Sequence, residues 1–208
     1  MTTQVRVSAV LLAAGQSQRM GSANKLLLAI DGEPLVRRTL RTLVRAPLAE
    51  VVVVLGHQAA AVGAALSDLP ARLVVNPMFA DGQGTSVVAG MRALRAEVDA
   101  IMVCLADQPA LTVADVAALI AAFAARPGGS IVVPMYAGQR GNPVIFAAHH
   151  REEVLAGTRV LGCRRLLERY PELVHPFAVD HPRYVTDIDT PEDYARATNG
   201  APAFQGRG

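Results

Sequence analysis

Five short apolar runs recur along the chain: Val5–Leu12, Val51–Leu55, Leu73–Val75, Ile101–Leu105 and Ile131–Val133. Each is rich in β-branched residues and too uniformly apolar to have one wet face, so each predicts a strand buried on both sides. Between them, residues such as Val113, Val116, Ile120 and Phe123 recur at the three-to-four spacing that puts apolar side chains on one face of a helix. Strand then helix, repeated, predicts an α/β fold: a three-layer, Rossmann-like, mostly parallel sheet with helices on both faces. Such a sheet binds its ligand where loops leave the carboxyl ends of the strands. After Val133 the rhythm changes. Gly138, Gly141 and Pro143 punctuate short apolar pieces, and two further helices are expected near 148–156 and 162–170.

A length of 208 residues suits one core, so a single domain over 1–197 is expected, with 198–208 as a frayed tail. Apolar residues make up 51%, yet no run approaches the roughly 20 needed to cross a bilayer. The N-terminal apolar stretch runs directly into a polar loop and reads as a first strand, not a signal peptide. The two cysteines, Cys104 and Cys163, lack zinc-ligand spacing and suit a reduced, cytoplasmic setting. A net charge of +2 without a basic block leaves out the electrostatic footprint of a nucleic-acid binder.

The loop after the first strand reads Leu12-Ala13-Ala14-Gly15-Gln16-Ser17-Gln18-Arg19-Met20-Gly21-Ser22-Ala23-Asn24-Lys25. Small residues let backbone N–H groups approach phosphate oxygens. Arg19 can fork onto two such oxygens and Lys25 adds a mobile point charge, so both can oppose charge building on a departing pyrophosphate. It is not a Walker loop, whose Gly-Lys pair would fall where Met20 and Gly21 stand, and it is not G-x-G-x-x-G.

Asp107, in Leu105-Ala106-Asp107-Gln108-Pro109, follows a strand, where the fold presents ligands. One such carboxylate can begin a Mg²⁺ site, because Mg²⁺ usually takes one or two protein carboxylates and fills its shell with water and phosphate. Asp187 and Asp189, in Thr186-Asp187-Ile188-Asp189-Thr190-Pro191-Glu192-Asp193-Tyr194, point the same way if that segment is a strand. Residue by residue, plainer readings stand beside these: a turn or cap role for Asp107, and helix caps for Asp189 and for Thr85 or Ser86. His149, His150, His175 and His181 sit in polar or proline-flanked contexts and read as ordinary residues, and no Ser-His-Asp set has spacing support.

The stretch LAAGQSQRMGSANKLL resembles the signature of the MobA-like nucleotidyltransferases, a group that includes the cytidylyl- and guanylyltransferases of molybdenum cofactor. The further matches Asn76-Pro77, Gly82-Gln83-Gly84-Thr85-Ser86, Asp107-Gln108-Pro109, Gly141-Asn142-Pro143 and the segment around Asp189 come in the family's order. The resemblance implies a fold of the nucleotide-diphospho-sugar transferase type and nucleotide contacts at Leu12, Ala13, Ala14, Gly15, Ser17, Arg19, Lys25, Gly56, His57, Asn76, Gly84 and Ser86. It implies catalysis by Arg19, Lys25 and Asp107, with Mg²⁺ on Asp107 first, Asp189 second and Asp187 in reserve.

Ala14-Gly15, where guanylyl-transferring relatives tend to have Gly-Gly, favours CTP. Gly141, Asn142, Pro143 and Arg164 are the implied contacts to a molybdopterin-type phosphate acceptor, and a recipient molybdoenzyme is an implied partner. Around Gly157 to Arg165 the chain lacks the acid found in Gly-Asp-x-Gly-Ala-Arg of relatives that serve molybdenum hydroxylases. The acceptor side therefore departs from the family pattern. The rival readings are a guanylyltransferase of the same cofactor, a nucleotidyltransferase acting on a sugar or polyol phosphate, and a non-catalytic cofactor carrier.

Overall fold

The computed structural model describes residues 5–21, 23–156 and 163–198, with only the backbone of 163–165. In chain order the elements are β1 (Val7–Ala13), β2 (Ala29–Ile30), β3 (Glu33–Pro34), α1 (Leu35–Arg45), β4 (Val51–Leu55), α2 (Ala59–Ala64), β5 (Arg72–Val75), α3 (Gln83–Ala93) and β6 (Ala100–Leu105). They continue with α4 (Val113–Ala125), β7 (Ile131–Tyr136), β8 (Gln139–Arg140), β9 (Val144–Ala147), α5 (Arg151–Ala156), α6 (Cys163–Arg169), β10 (Val174–Ala178) and α7 (Pro191–Thr198). Thr198 closes the last helix, and the remainder of the expected tail, 199–208, lies outside the described residues.

The main sheet runs β10-β7-β9-β6-β1-β4-β5, with β8 against β7. All the strands of that path are mutually parallel except β9, which is antiparallel to both neighbours. The five apolar runs fall on β1, β4, β5, β6 and β7. The change of rhythm after Val133 is a reversal of direction. Ala137 and Gly138 both take positive φ, the conformation a tight hairpin loop needs, and the returning chain enters the gap between β7 and β6.

Alternation along β1 divides the core. Val7, Ala9, Leu11 and Ala13 pack with Leu35, Leu40 and Leu43 of α1 and with Val116, Leu119 and Phe123 of α4. Val10 and Leu12 face Val87 and Met91 of α3, together with Val154, Leu166 and Leu167 of α5 and α6. The result is the three-layer arrangement, helices on each face of one sheet. Gly90 is required for it, since a Cβ there would come within 2.2 Å of Val10 Cγ1. β1 sits at the centre, with β4 on one side and β6 on the other. That reversal of strand order opens a crevice beyond the ends of β1 and β6.

Candidate active site

The cleft at that crevice encloses about 560 Å³, within the ordinary range for a small-molecule site. Leu12 near the end of β1 lines it together with Ala14, Gly15 and Ser17 of the loop that follows, and Asp107 lines it from the loop after β6. Ala13 turns the other way, into the core beneath α1. A Cβ at Gly15 would meet nothing within 4 Å, so the position adds room on the cleft side.

Ser17 adopts a left-handed conformation, φ 52°, and its hydroxyl accepts the Lys25 N–H at 3.2 Å. Asn24 caps the short turn that follows by accepting from the Leu26 N–H at 3.1 Å, and Leu26 is buried. These bonds close the loop on itself and aim Lys25 inward.

The acidic side is held by a strap, residues 184–190. It leaves a short 3-10 turn at Pro182–Tyr184 and belongs to no strand, which corrects the expectation of a β-strand carrying both acids. Its fixings are dense and reach segments far off in sequence. The Tyr184 carbonyl accepts from Gln108 Nε2 at 3.0 Å and from the Asn142 N–H at 2.8 Å. The Ile188 N–H donates to the Asp107 carbonyl at 2.9 Å. Arg183 forks onto the Asp115 carboxylate at 2.7 and 2.8 Å, and the Tyr184 hydroxyl donates to the Asp115 carbonyl at 2.8 Å. Thr190 and Asp193 make reciprocal cap bonds at the start of α7, which leaves the Asp189 carboxylate out of the cap.

Lys25 joins the two sides. Its Nζ donates to Asp107 Oδ2 at 2.6 Å and to Asp189 Oδ1 at 2.7 Å, while Arg19 donates to Asp189 Oδ2 at 2.7 Å. Burial alone would lower the lysine's pKa, but the Asp107 and Asp189 carboxylates outweigh it and hold the ammonium above its ordinary range. Asp187 is displaced upward, first by burial and then by the negative charges of Asp107 and Asp189, with Lys25 opposing. Asp107 and Asp189 thus converge on one cation, with Asp187 close enough to feel both.

The donor set suits an oxygen-loving divalent cation. Asp107 Oδ1 is buried with no hydrogen-bond partner, an expensive condition for a carboxylate oxygen unless a ligand completes it. Among the described residues no three His, Cys, Asp or Glu side chains form a ready metal cage. Two carboxylates, with water and ligand phosphate filling the shell, are what Mg²⁺ commonly accepts.

The other expected residues divide. Ser86 lines the cleft, and its hydroxyl accepts from Asn76 Nδ2 at 2.9 Å. Asn76 is buried behind it, also donating to Thr85 Oγ1 and accepting from the Met78 N–H. Neither Thr85 nor Ser86 is the helix cap, because the cap position is Gly82 at φ 115°. Gly82 and Gln83 face the cleft, whereas Gly84 faces a separate apolar hollow with Val88 and Leu155. Gly56 packs beneath the loop, where a Cβ would come 2.7 Å from the Ala14 Cβ. The His57 N–H donates to the Ala14 carbonyl at 3.3 Å and its ring lies beside Phe79, outside the cleft lining.

Gly141 and Asn142 lie against the Tyr184 carbonyl, which would stand 2.5 Å from a Cβ on Gly141. Pro143 follows through a cis bond into β9. That tripeptide therefore touches the strap and does not line the cleft. The Arg164 side chain lies outside the described residues. Phe79, Gln16 and Gln83 line the cleft unanticipated. The signal was available for Gln83, which stands inside the Gly82–Ser86 motif.

An α/β sheet with a cation-bearing loop and paired carboxylates at its switch point is the arrangement of a protein that handles phosphorylated nucleotides. The chain belongs to the MobA-like NTP transferase family, whose domain matches residues 9–174, and it is a nucleotidyltransferase of that family. It is 35% identical to the nicotine blue oxidoreductase of Paenarthrobacter nicotinovorans over 198 residues, 91% of this chain and 95% of that one. It is 34% identical to the purine catabolism protein PucB of Bacillus subtilis (strain 168) over 196 residues, covering 89% and 92%. Rv0371c from Mycobacterium tuberculosis H37Rv superposes with a TM-score of 0.83 at 27% identity, covering 95% of this chain and 100% of that one. Its complex with manganese superposes at 0.77 and 26% identity, covering 94% and 100%. No described helix is long and apolar enough to cross a membrane.

Proposed function

We propose that the protein moves CMP from CTP to the phosphate of molybdopterin or molybdenum cofactor, releasing pyrophosphate with the help of Mg²⁺. The observation that carries the transfer chemistry is the convergence of Lys25 on Asp107 and Asp189 beside Arg19. Backbone groups of Ala14 to Ser17 cradle the triphosphate, and Arg19 and Lys25 neutralise its β- and γ-phosphates as the pyrophosphate leaves. Mg²⁺, held by Asp107 and Asp189, supplies charge neutralisation on the phosphate oxygens. The manganese complex of Rv0371c supports the use of a divalent ion.

An acceptor phosphate monoester, with a second pKa near 6, arrives already ionised, so no side chain need act as general base. CTP is preferred over GTP on the Ala14-Gly15 pair. A cytoplasmic setting, where triphosphate and reduced cofactor meet, belongs to the same reading, as does delivery of the product to a recipient molybdoenzyme.

The name of the Paenarthrobacter relative favours a second reading, an oxidoreductase. The absence of a dinucleotide fingerprint in the sequence weighs against it. One panel separates the readings: pyrophosphate release with Mg²⁺, each nucleoside triphosphate, and molybdopterin or sugar phosphates as acceptors, run beside a nicotinamide oxidation assay. CTP- and molybdopterin-dependent release is expected. Background release in every combination would overturn the proposal.

A further inference from the structure

Of the twenty basic residues counted as Lys and Arg, Lys25 is the single lysine. Every other cation of that set is an arginine, so the one side-chain ammonium, compact and mobile, stands where two carboxylates meet. Its side chain is 12% exposed, and Nζ lies 2.6 Å from Asp107 Oδ2 and 2.7 Å from Asp189 Oδ1. A divalent ion about 2.1 Å from an oxygen of each carboxylate would claim the place that Nζ now holds. A guanidinium is planar and takes carboxylates side-on, whereas an ammonium on a four-carbon stem can fill a point between two acids and turn away from it.

We propose that Lys25 is a displaceable internal counter-ion: it holds Asp107 and Asp189 together in the metal-free protein and leaves them when a divalent cation arrives. This rests on the reading that these two acids bind the metal. The lysine and the metal then compete for one pair of carboxylates. Once freed, the ammonium turns to the nearest anion, the triphosphate, so metal and nucleotide bind with positive coupling. A purely structural salt bridge has the opposite signature, because its removal would loosen the acids and weaken metal binding.

The test uses Mn²⁺ alone, followed by the electron paramagnetic resonance signal of the free ion, on the wild type, Lys25→Met, Lys25→Arg and Asp107→Asn. Lys25→Met is expected to bind Mn²⁺ about ten-fold or more tightly than the wild type, as removal of a competing charge in direct contact requires. Lys25→Arg, which keeps the charge, is expected to show no such gain. A second measurement needs no variant. The protein has two classes of amine, Lys25 and the chain's α-amino group, so pulsed acetylation read by mass spectrometry reports on Lys25 against an internal reference. Mn²⁺ without nucleotide is expected to raise Lys25 acetylation several-fold, and added CTP to suppress it again.

If Mn²⁺ binding depends on Asp107 but neither Lys25→Met nor acetylation responds as stated, the counter-ion role is overturned and the metal reading stands. If neither the wild type nor Lys25→Met binds Mn²⁺, with or without CTP, both fall together.

Discussion

Replacing Arg183 with Met isolates the clamp that fixes the strap. The substitution deletes two guanidinium bonds, at 2.7 and 2.8 Å, to a carboxylate whose side chain is 4% exposed. Breaking one side of a buried ion pair costs about 3–5 kcal/mol. Asp115 is not left bare, however, since the Thr112 amide and hydroxyl still bond it at 2.9 and 2.8 Å. Those surviving donors reduce the expected loss to about 2–3 kcal/mol. At roughly 2–4 °C per kcal/mol for a chain of this size, the midpoint falls by about 4–12 °C, read by thermal and urea unfolding.

The pH dependence gives a second signature. Burial alone would raise the Asp115 pKa, but Arg183 and Thr112 outweigh it and hold the carboxyl below its ordinary 3.8. A carboxyl lowered in the folded state adds stability above its unfolded value, and that stability is lost as pH falls through the folded value. The gap between wild type and variant is therefore widest near neutrality and closes below about pH 4. A loss under about 0.5 kcal/mol, the scale of a surface pair, or a gap unchanged between pH 7 and pH 3, refutes the clamp.

Arg19→Ala separates catalysis from stability. The Arg19 side chain is 68% exposed, so unfolding should shift by less than about 1 kcal/mol, while turnover falls by about 10²-fold or more as expected for loss of a charge-stabilising donor. Equal activity would remove Arg19 from the phosphate site. His150 sets an acid limit. It is buried, bonded to Ser130 Oγ at 2.6 Å, and held below its ordinary pKa first by burial and then by His149, with Glu153 opposing. Stability is therefore full above the unfolded value near 6.5 and declines as pH falls from there through the folded value. His150→Gln should flatten that decline between pH 7 and 5 in urea titrations, and an unchanged slope would contradict it.

The strands are legible because burial on both faces leaves an apolar signature that needs no knowledge of partners. The insertion of β9 between β7 and β6 is illegible, because Val144 to Ala147 would read the same in any sheet position and the pairing is decided by distant Met102 and Val132. At the site, Arg19, Lys25 and Asp107 are legible from charge placed at strand ends. The pairing of Asp189 with Lys25 spans 164 positions, and only the resemblance connects the two in sequence. Motifs also conceal scaffolding. Asn76, Gly141 and Asn142 read as contacts, yet in the structure Asn76 knots a turn and the other two seat the Tyr184 carbonyl. The role of Gly141 and Asn142 leaves no local pattern, since it depends on the Tyr184 carbonyl brought in from elsewhere, whereas Asn76 bonds groups no more than ten positions away.

The central claim, nucleotidyl transfer at the Lys25, Asp107 and Asp189 cluster, is tested most directly with CTP labelled at the α-phosphate, Mg²⁺ and molybdopterin. Wild type should move the label into an acceptor-linked product, and Asp107→Ala, checked for folding by unfolding midpoint, should move less than about 1% as much. Label transfer by Asp107→Ala at the wild-type rate, or no transfer by the wild type, would contradict the account.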